Sequence, residues 1–199
     1  MHYFDNVFRL LKKASVLGEK IENNGVTLLG RANHVGSDAW LHTLFPPLDS
    51  SDVNLLEEEI GRTFPESFRE FLELTNGLNV FSDSLAIFGR RTSYDRNAGE
   101  REPYDIVSMN RYDRPTRLRD DVLLIGSYSY GKGFLLYIDP RSERIYRCHR
   151  SDGEPIKKWE NFGEMLLAEV NRFDQLFDER GVLRDLDAVL VPEGTTWTS

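Results

Sequence analysis

Between residues 55 and 77 the chain reads Leu-Leu-Glu-Glu-Glu-Ile-Gly-Arg-Thr-Phe-Pro-Glu-Ser-Phe-Arg-Glu-Phe-Leu-Glu-Leu-Thr-Asn-Gly. This punctuation allows little besides two consecutive helices. Val53, Leu56 and Ile60 recur at intervals of three and four residues up to Gly61, which can take the left-handed conformation that ends a helix. A proline inside a helix costs about 3 kcal/mol, but at the first helical position its missing N–H would have had no partner anyway. The spacing therefore starts a second helix at Pro65 and closes it at Asn76-Gly77 in the same left-handed way as the first. Phe68, Phe71, Leu72 and Thr75 make one face of it, and Glu66, Arg69, Glu70 and Glu73 the other. Attraction of Arg69 to Glu66 and Glu73 is worth only about 0.2–0.5 kcal/mol per pair, so burial of the phenylalanines dominates.

The remaining elements can be placed around this helical hairpin. Phe4, Val7, Phe8, Leu11 and Ala14 fall at helical spacing, which predicts an amphipathic helix over 3–22 that docks an apolar stripe on the core. Asn23-Asn24-Gly25 stops it, and residues 26–29 read as a short strand. Residues 30–45 show no clear period, although Trp40, Leu41, Leu44 and Phe45 are apolar enough to pack. After Pro46-Pro47, either Asp49 or Ser50 can cap the first helix of the hairpin. Beyond Gly77, residues 85–88 read as a strand, 90–103 as a long exposed loop and 105–111 as one or two helical turns. Strands over 122–125, 134–138 and 144–149 are joined by short connections, which favours an antiparallel meander over parallel crossovers. Asn161 with Glu164 three residues on resembles a capping box, and opens a helix that runs to about Glu179. Gly181 ends it. Residues 182–199 carry Leu186, Val189 and Leu190 but finish in Gly-Thr-Thr-Trp-Thr-Ser, which predicts partial docking and a loose end.

Composition narrows the class. With 40% apolar residues, including twelve Phe and eight Tyr, a chain of 199 residues has a core and is not disordered. No apolar run approaches the ~20 residues needed to span a bilayer, and Asp5, Arg9 and Lys12 interrupt the region where a signal peptide needs its apolar stretch. These features, with a single cysteine, Cys148, predict a cytoplasmic protein with no membrane partner. The net charge of -8 repels a phosphate backbone and attracts basic partners, which argues against direct nucleic-acid binding.

Catalytic chemistry finds little support. Adjacent Cys148 and His149 on a strand point to opposite faces, so they form neither a metal pair nor a nucleophile–base dyad. His2, His34 and His42 have no Cys or carboxylate at ligand spacing, and no metal or cofactor is expected. Glu57, Glu58 and Glu59 fan over roughly 200° of a helix, cannot converge on one substrate and read as a solvated face. The glycines at 126, 131 and 133 lack a Gly-Lys-Ser/Thr ending and precede a strand, so they read as a hairpin loop rather than a phosphate cradle. Exposed loops are the remaining candidates for function. Tyr128, Tyr130 and Lys132 lie in one, and Tyr94 and Asp95 in another. Tyrosines there can supply rigid contact area, or their rings can pack on the sheet. Asp83, Glu100 and Glu102 are the carboxylates that could receive a basic partner alongside them.

Taken in order, Glu57 and Gly61, Pro65, Thr75-Asn76-Gly77, Phe88-Gly89, Ile125-Gly126-Ser127, Tyr137 and Asp139 resemble the signature of the SUKH superfamily, the Smi/Knr-type domain. The resemblance covers residues 46–181 and leaves 1–45 as a helical extension packed on the core and 182–199 as a tail. Leu78 departs from the second glycine that members often carry there, and the first 45 residues are longer than usual. The resemblance implies an α+β fold with a twisted, mainly antiparallel sheet covered by helices on one side. It also implies a non-enzymatic protein-binding role. Many bacterial members are immunity proteins that neutralise a cognate toxin, often a nuclease, while fungal relatives act as scaffolding regulators of cell-wall synthesis. The partner expected on this basis is a toxin domain with a basic surface, and the alternative is a housekeeping scaffold or regulatory adaptor.

Overall fold

Helix α2 (Ser50–Ile60) begins where the Asp49 carboxylate accepts the Asp52 N–H at 2.8 Å, so Asp49 rather than Ser50 is the cap. It ends at Gly61 with φ 75°, where the N–H groups of Gly61 and Arg62 both donate to the Glu57 carbonyl at 2.8 and 3.0 Å. The coordinates are those of a computed structural model and describe residues 2–94, 101–128 and 133–185. Helix α3 (Glu66–Leu74) starts one residue later than expected, because Pro65 adopts extended backbone (ψ 147°) and stands before the first turn, not in it. Thr75 is extended as well, and Gly77 is the left-handed residue of this turn with φ 82°.

Glu57 does not join a solvated face. Its carboxylate accepts the Phe64 backbone N–H and pairs with Arg69, clasping the α2–α3 turn shut. Arg69 also donates to Asn54 Oδ1 at 2.8 Å. The guanidinium expected to serve Glu66 and Glu73 therefore reaches back across the turn, where the half-buried Glu57 is a better desolvated partner than a helix-surface carboxylate.

Among the described residues nine strands form one sheet whose spatial order is their chain order, each antiparallel to its neighbour. They are β1 (Glu19–Ile21), β2 (Thr27–Arg31), β3 (Trp40–Leu44), β4 (Leu78–Val80), β5 (Leu85–Ile87), β6 (Leu123–Tyr128), β7 (Phe134–Ile138), β8 (Ile145–His149) and β9 (Pro155–Trp159). The meander expected for three strands thus extends over the whole sheet. The expected helix over 3–22 is split: α1 (His2–Lys12) passes through a 3-10 segment at Lys13–Leu17, and the chain then turns back as β1. Gly18, with φ 123°, makes that reversal. Strands β1, β3, β4 and β9 do not stand out in the sequence, since none carries an apolar run like those of β6 and β7.

Strand register separates the two faces. Leu29, His42, Val80, Leu85, Tyr128, Phe134 and His149 are successive partners across one row. Most of that row belongs to the main core with Phe4 and Val7 of α1, Phe68 and Phe71 of α3, and Phe162 and Phe173 of α5 (Phe162–Leu176). Phe162 sits at the centre of this helical layer, 5.1 Å from the Phe68 ring and 4.9 Å from that of Phe71. Helix α5 is capped by Asn161, which accepts the Glu164 N–H at 2.9 Å. It stops at Leu176, short of the expected Glu179, because Phe177 turns extended to pair with Leu183 around left-handed Gly181. Leu186 and the rest of the tail lie outside the described residues.

The next row over, Leu28, Thr43, Asn79, Ala86, Ser127, Leu135 and Cys148, faces the other way. Its β6–β8 half is covered by Leu118 and Val122, which bury Leu124, Leu135 and Cys148, with Met109 of α4 (Ile106–Arg111) against them. Its β2–β4 half carries only a small cluster of Val26, Leu28 and Phe45, with Trp40 beside it. The first 44 residues therefore do more than dock a helix: α1 packs on α5, and the same segment supplies three strands of the common sheet.

Candidate partner-binding surface

The punctuation of the hairpin proves to be structural. Asn76 uses its side chain as a peptide group: Oδ1 accepts the Arg90 N–H at 2.6 Å and Nδ2 donates to the Arg90 carbonyl at 2.8 Å. Gly89 must be bare for this approach, since a Cβ there would lie 2.1 Å from the Asn76 carbonyl oxygen. Gly126 serves the same end on β6, where a Cβ would meet the Ala86 carbonyl oxygen at 2.6 Å. Glu57, Gly61, Pro65, Asn76, Gly77 and Gly126 thus position the sheet and its loops without presenting chemistry of their own.

The residues expected at a partner surface separate into four groups. Asp83 and Glu102 are brought together: both line a groove of about 240 Å³ on the β2–β4 half of the sheet, opposite the helices. Trp40, Thr43 and Asn79 contribute from the strands, and Asp38 from the β2–β3 connection. Arg101 and Glu102 close the far wall. Tyr94 lies apart from this groove. Its ring is 64% exposed, its hydroxyl donates to Asp105 Oδ2 at 2.6 Å, and the Arg91 guanidinium lies 5.1 Å from its centroid. It therefore presents a fixed aromatic face. Tyr128 is the exception among the loop tyrosines: it is the last residue of β6 and only 3% exposed. Its ring packs in the main core with Phe134 beneath the buried Arg147 guanidinium, so it offers no contact area. Asp95, Glu100, Tyr130 and Lys132 lie outside the described residues.

Sequence reading did not find Asp38, Asn79, Ser82 or Arg101, because the groove depends on strands β3 and β4. Its wall at the β4–β5 turn is unusual. Phe81, Ser82 and Asp83 have φ of 52°, 53° and 63°, three successive left-handed residues with no glycine. Left-handed backbone costs an L-residue roughly 1–2 kcal/mol, and no Gly or Asn signals it here. Packing holds the turn in place: the Phe81 ring is buried 5.4 Å from Phe173 and 5.2 Å from Phe177. Its N–H donates to Nδ1 of His42, and the Ser82 N–H to the Leu41 carbonyl at 3.0 Å.

The electrostatics of the groove are acidic. Desolvation holds the Asp83 carboxyl above the usual range, against the opposing pull of its hydrogen bond with Asn79 and the charge of Arg101. Glu102 accepts from the Thr92 N–H at 3.2 Å and the Thr92 hydroxyl at 2.9 Å. Arg101 is turned toward Glu22 at 3.6 Å and the Asp38 carbonyl at 3.1 Å. At Asp105, burial raises the pKa, but hydrogen bonds from Ser108, Tyr94 and the backbone outweigh it and hold the carboxyl low.

Cys148 is buried in the second core cluster, with burial pushing its thiol up to about 12, while the His149 ring lies tilted 4.9 Å from that of Phe134 on the opposite face. Among the described residues no group of three or more His, Cys, Asp or Glu is placed to hold a metal ion. No helix among them is long and apolar enough to cross a membrane.

A search of curated proteins gave no match. A family model described as the SMI1 / KNR4 family (SUKH-1) matches residues 47–168. That span is more than half of the 199 residues and takes in the hairpin, the Asn76–Gly89 contact and strands β4 to β9. The chain therefore belongs to the SMI1 / KNR4 family (SUKH-1).

Proposed function

We propose that this protein is a non-enzymatic binding domain that acts as an immunity protein, neutralising a cognate bacterial toxin by forming a stoichiometric complex with it. Family membership over residues 47–168 is the observation that carries the reading. The net charge of -8 and the carboxylates Asp38, Asp83 and Glu102 around one groove support a partner with a basic surface, as a nuclease needs for its own substrate. Occupying that surface would inhibit by competition, with no chemistry at the inhibitor. The Cys148 thiol is buried on the face opposite His149, so these two residues do not form a nucleophile–base pair.

Co-expression with the toxin encoded beside it tests the proposal. Rescue of growth together with a co-purifying complex is the expected result, and neither occurring overturns it. A growth or envelope phenotype on deletion in a strain lacking the toxin would assign the protein instead to the scaffolding or regulatory role.

A further inference from the structure

Resting on that reading, we infer that the groove over β2–β4 is the docking site for a partner segment presenting lysine or arginine side chains. The sheet face opposite the helices is treated unequally. Over β6–β8 it is sealed by Leu118 and Val122, whereas over β2–β4 it is left concave, with Trp40 and Thr43 among its lining.

What lines this concavity selects the occupant. Asp38, Asp83 and Glu102 contribute three carboxylates, and none makes an ion pair within 4 Å among the described residues. Among the described residues the cation in the lining is Arg101, whose Nε faces Glu22 at 3.6 Å and whose Nη2 donates to the Asp38 carbonyl at 3.1 Å, so its guanidinium is already engaged at one side of the groove. The lining also contains Asn79 Oδ1 and Ser82 Oγ, buried atoms without a hydrogen-bond partner among the described residues. Carboxylates that make no ion pair among the described residues fit a donor-rich cation and repel a phosphate or carboxylate ligand. An ammonium or guanidinium can bring three to five N–H donors on a stem whose methylenes suit Trp40 and the aliphatic part of the wall.

The wall is also fixed in advance. Three left-handed residues would relax if free to do so, but Phe81 is anchored between Phe173 and Phe177. The Asp83 carboxylate is thus held at the rim without ordering on binding, which lowers the entropy cost of association. A cation placed there also offsets the desolvation that Asp83 already carries.

An octalysine peptide, titrated by calorimetry into the full chain, is the test probe. Two double variants change net charge equally: Asp38→Asn with Asp83→Asn in the groove, and Glu58→Gln with Glu59→Gln on the exposed surface of α2. The groove variant should bind about tenfold more weakly, and the α2 variant like the parent protein. Equal weakening in both, or no binding by the parent, overturns the inference. Should the groove pair fail to fold, Asp38→Asn alone, on an exposed connection, should still weaken binding about threefold, and an unchanged affinity would overturn the inference. Because the probe is not a toxin, failed toxin rescue leaves this measurement intact, and a negative titration leaves the immunity reading standing.

Discussion

Protonation of His42 should be the main route by which mild acid destabilises this fold. The ring is 3% exposed and packs edge-on against Phe81, with centroids 4.8 Å apart. Burial lowers its pKa from 6.5 to about 3. Nδ1 is also the acceptor for the Phe81 N–H at 3.3 Å, so an imidazolium would set N–H against N–H at the base of the left-handed turn. The sign follows from linkage. The unfolded chain takes up a proton below pH 6.5 and the folded chain does not, so stability is fully present above 6.5 and falls as pH drops toward 3. Integrating one such site gives a loss of about 2 kcal/mol between pH 7 and pH 5, above the range where ordinary carboxylates titrate. Urea unfolding of the parent protein and of His42→Asn at both pH values measures it. The Asn amide oxygen takes the place of Nδ1 as acceptor, so the variant loses the titration and keeps the bond. Whatever stability it loses to the smaller side chain is common to both pH values. The parent should lose about 2 kcal/mol more than the variant over this interval. Equal losses would refute the reasoning and assign the acid response to other groups.

Two glycines in the family signature should differ sharply when made alanine. At Gly61 a Cβ meets nothing within 4 Å and the cost is the left-handed φ of 75°, so Gly61→Ala should lose about 1 kcal/mol in urea denaturation. At Gly89 the Cβ would lie 2.1 Å from a backbone oxygen, and Gly89→Ala should cost about 3 kcal/mol or more; similar losses at the two sites would contradict the structure. Glu169 on α5 is fully buried and accepts from Arg172 at 2.7 Å and Lys157 at 3.2 Å. Both cations keep some solvent, so Glu169→Gln should cost roughly 2–3 kcal/mol rather than the upper value for a fully buried pair, and a neutral effect by thermal or urea unfolding would show that the pair does not matter. Cys148 should resist Ellman's reagent in the folded protein and react promptly in denaturant, since its thiol is buried and raised to about 12; fast labelling of the native state would place it at the surface.

What was legible in the sequence was legible for local reasons. Asp49, Gly61 and Asn161 act within a few residues of themselves, through caps and a left-handed turn, so reading them requires no knowledge of the fold. Strands β6 to β8 announce themselves by their apolar residues and short connections. Tertiary competition explains the misreadings. Glu57 and Arg69 find each other across a turn in place of neighbours on their own helices. Residues 19–21 continue a plausible helical pattern, but pairing with β2 takes them into the sheet. Tyr128 sits beside a glycine-rich loop, yet strand β6 runs far enough to carry it under the core. Strand β4 is three residues long and follows Gly77 directly, leaving no room for an alternation to be seen.

The groove was invisible for a further reason, which bears on how partner choice can be separated from folding. Its lining draws Asp38 and Trp40 from before the family span, which begins at residue 47, and Asp83 and Glu102 from within it. The hairpin, with its Asn76–Arg90 clasp and bare Gly89, holds β4 in place but does not enter the β2–β4 groove. Asp38 is exposed on a connection between strands, where a change of side chain costs the fold little. Substitutions there can alter the charge and shape of one wall while the other remains fixed by Phe81 in the core. With the groove as the proposed docking site, a domain built this way can keep one fold and vary its partner, because the rim residues are not those that close the helices.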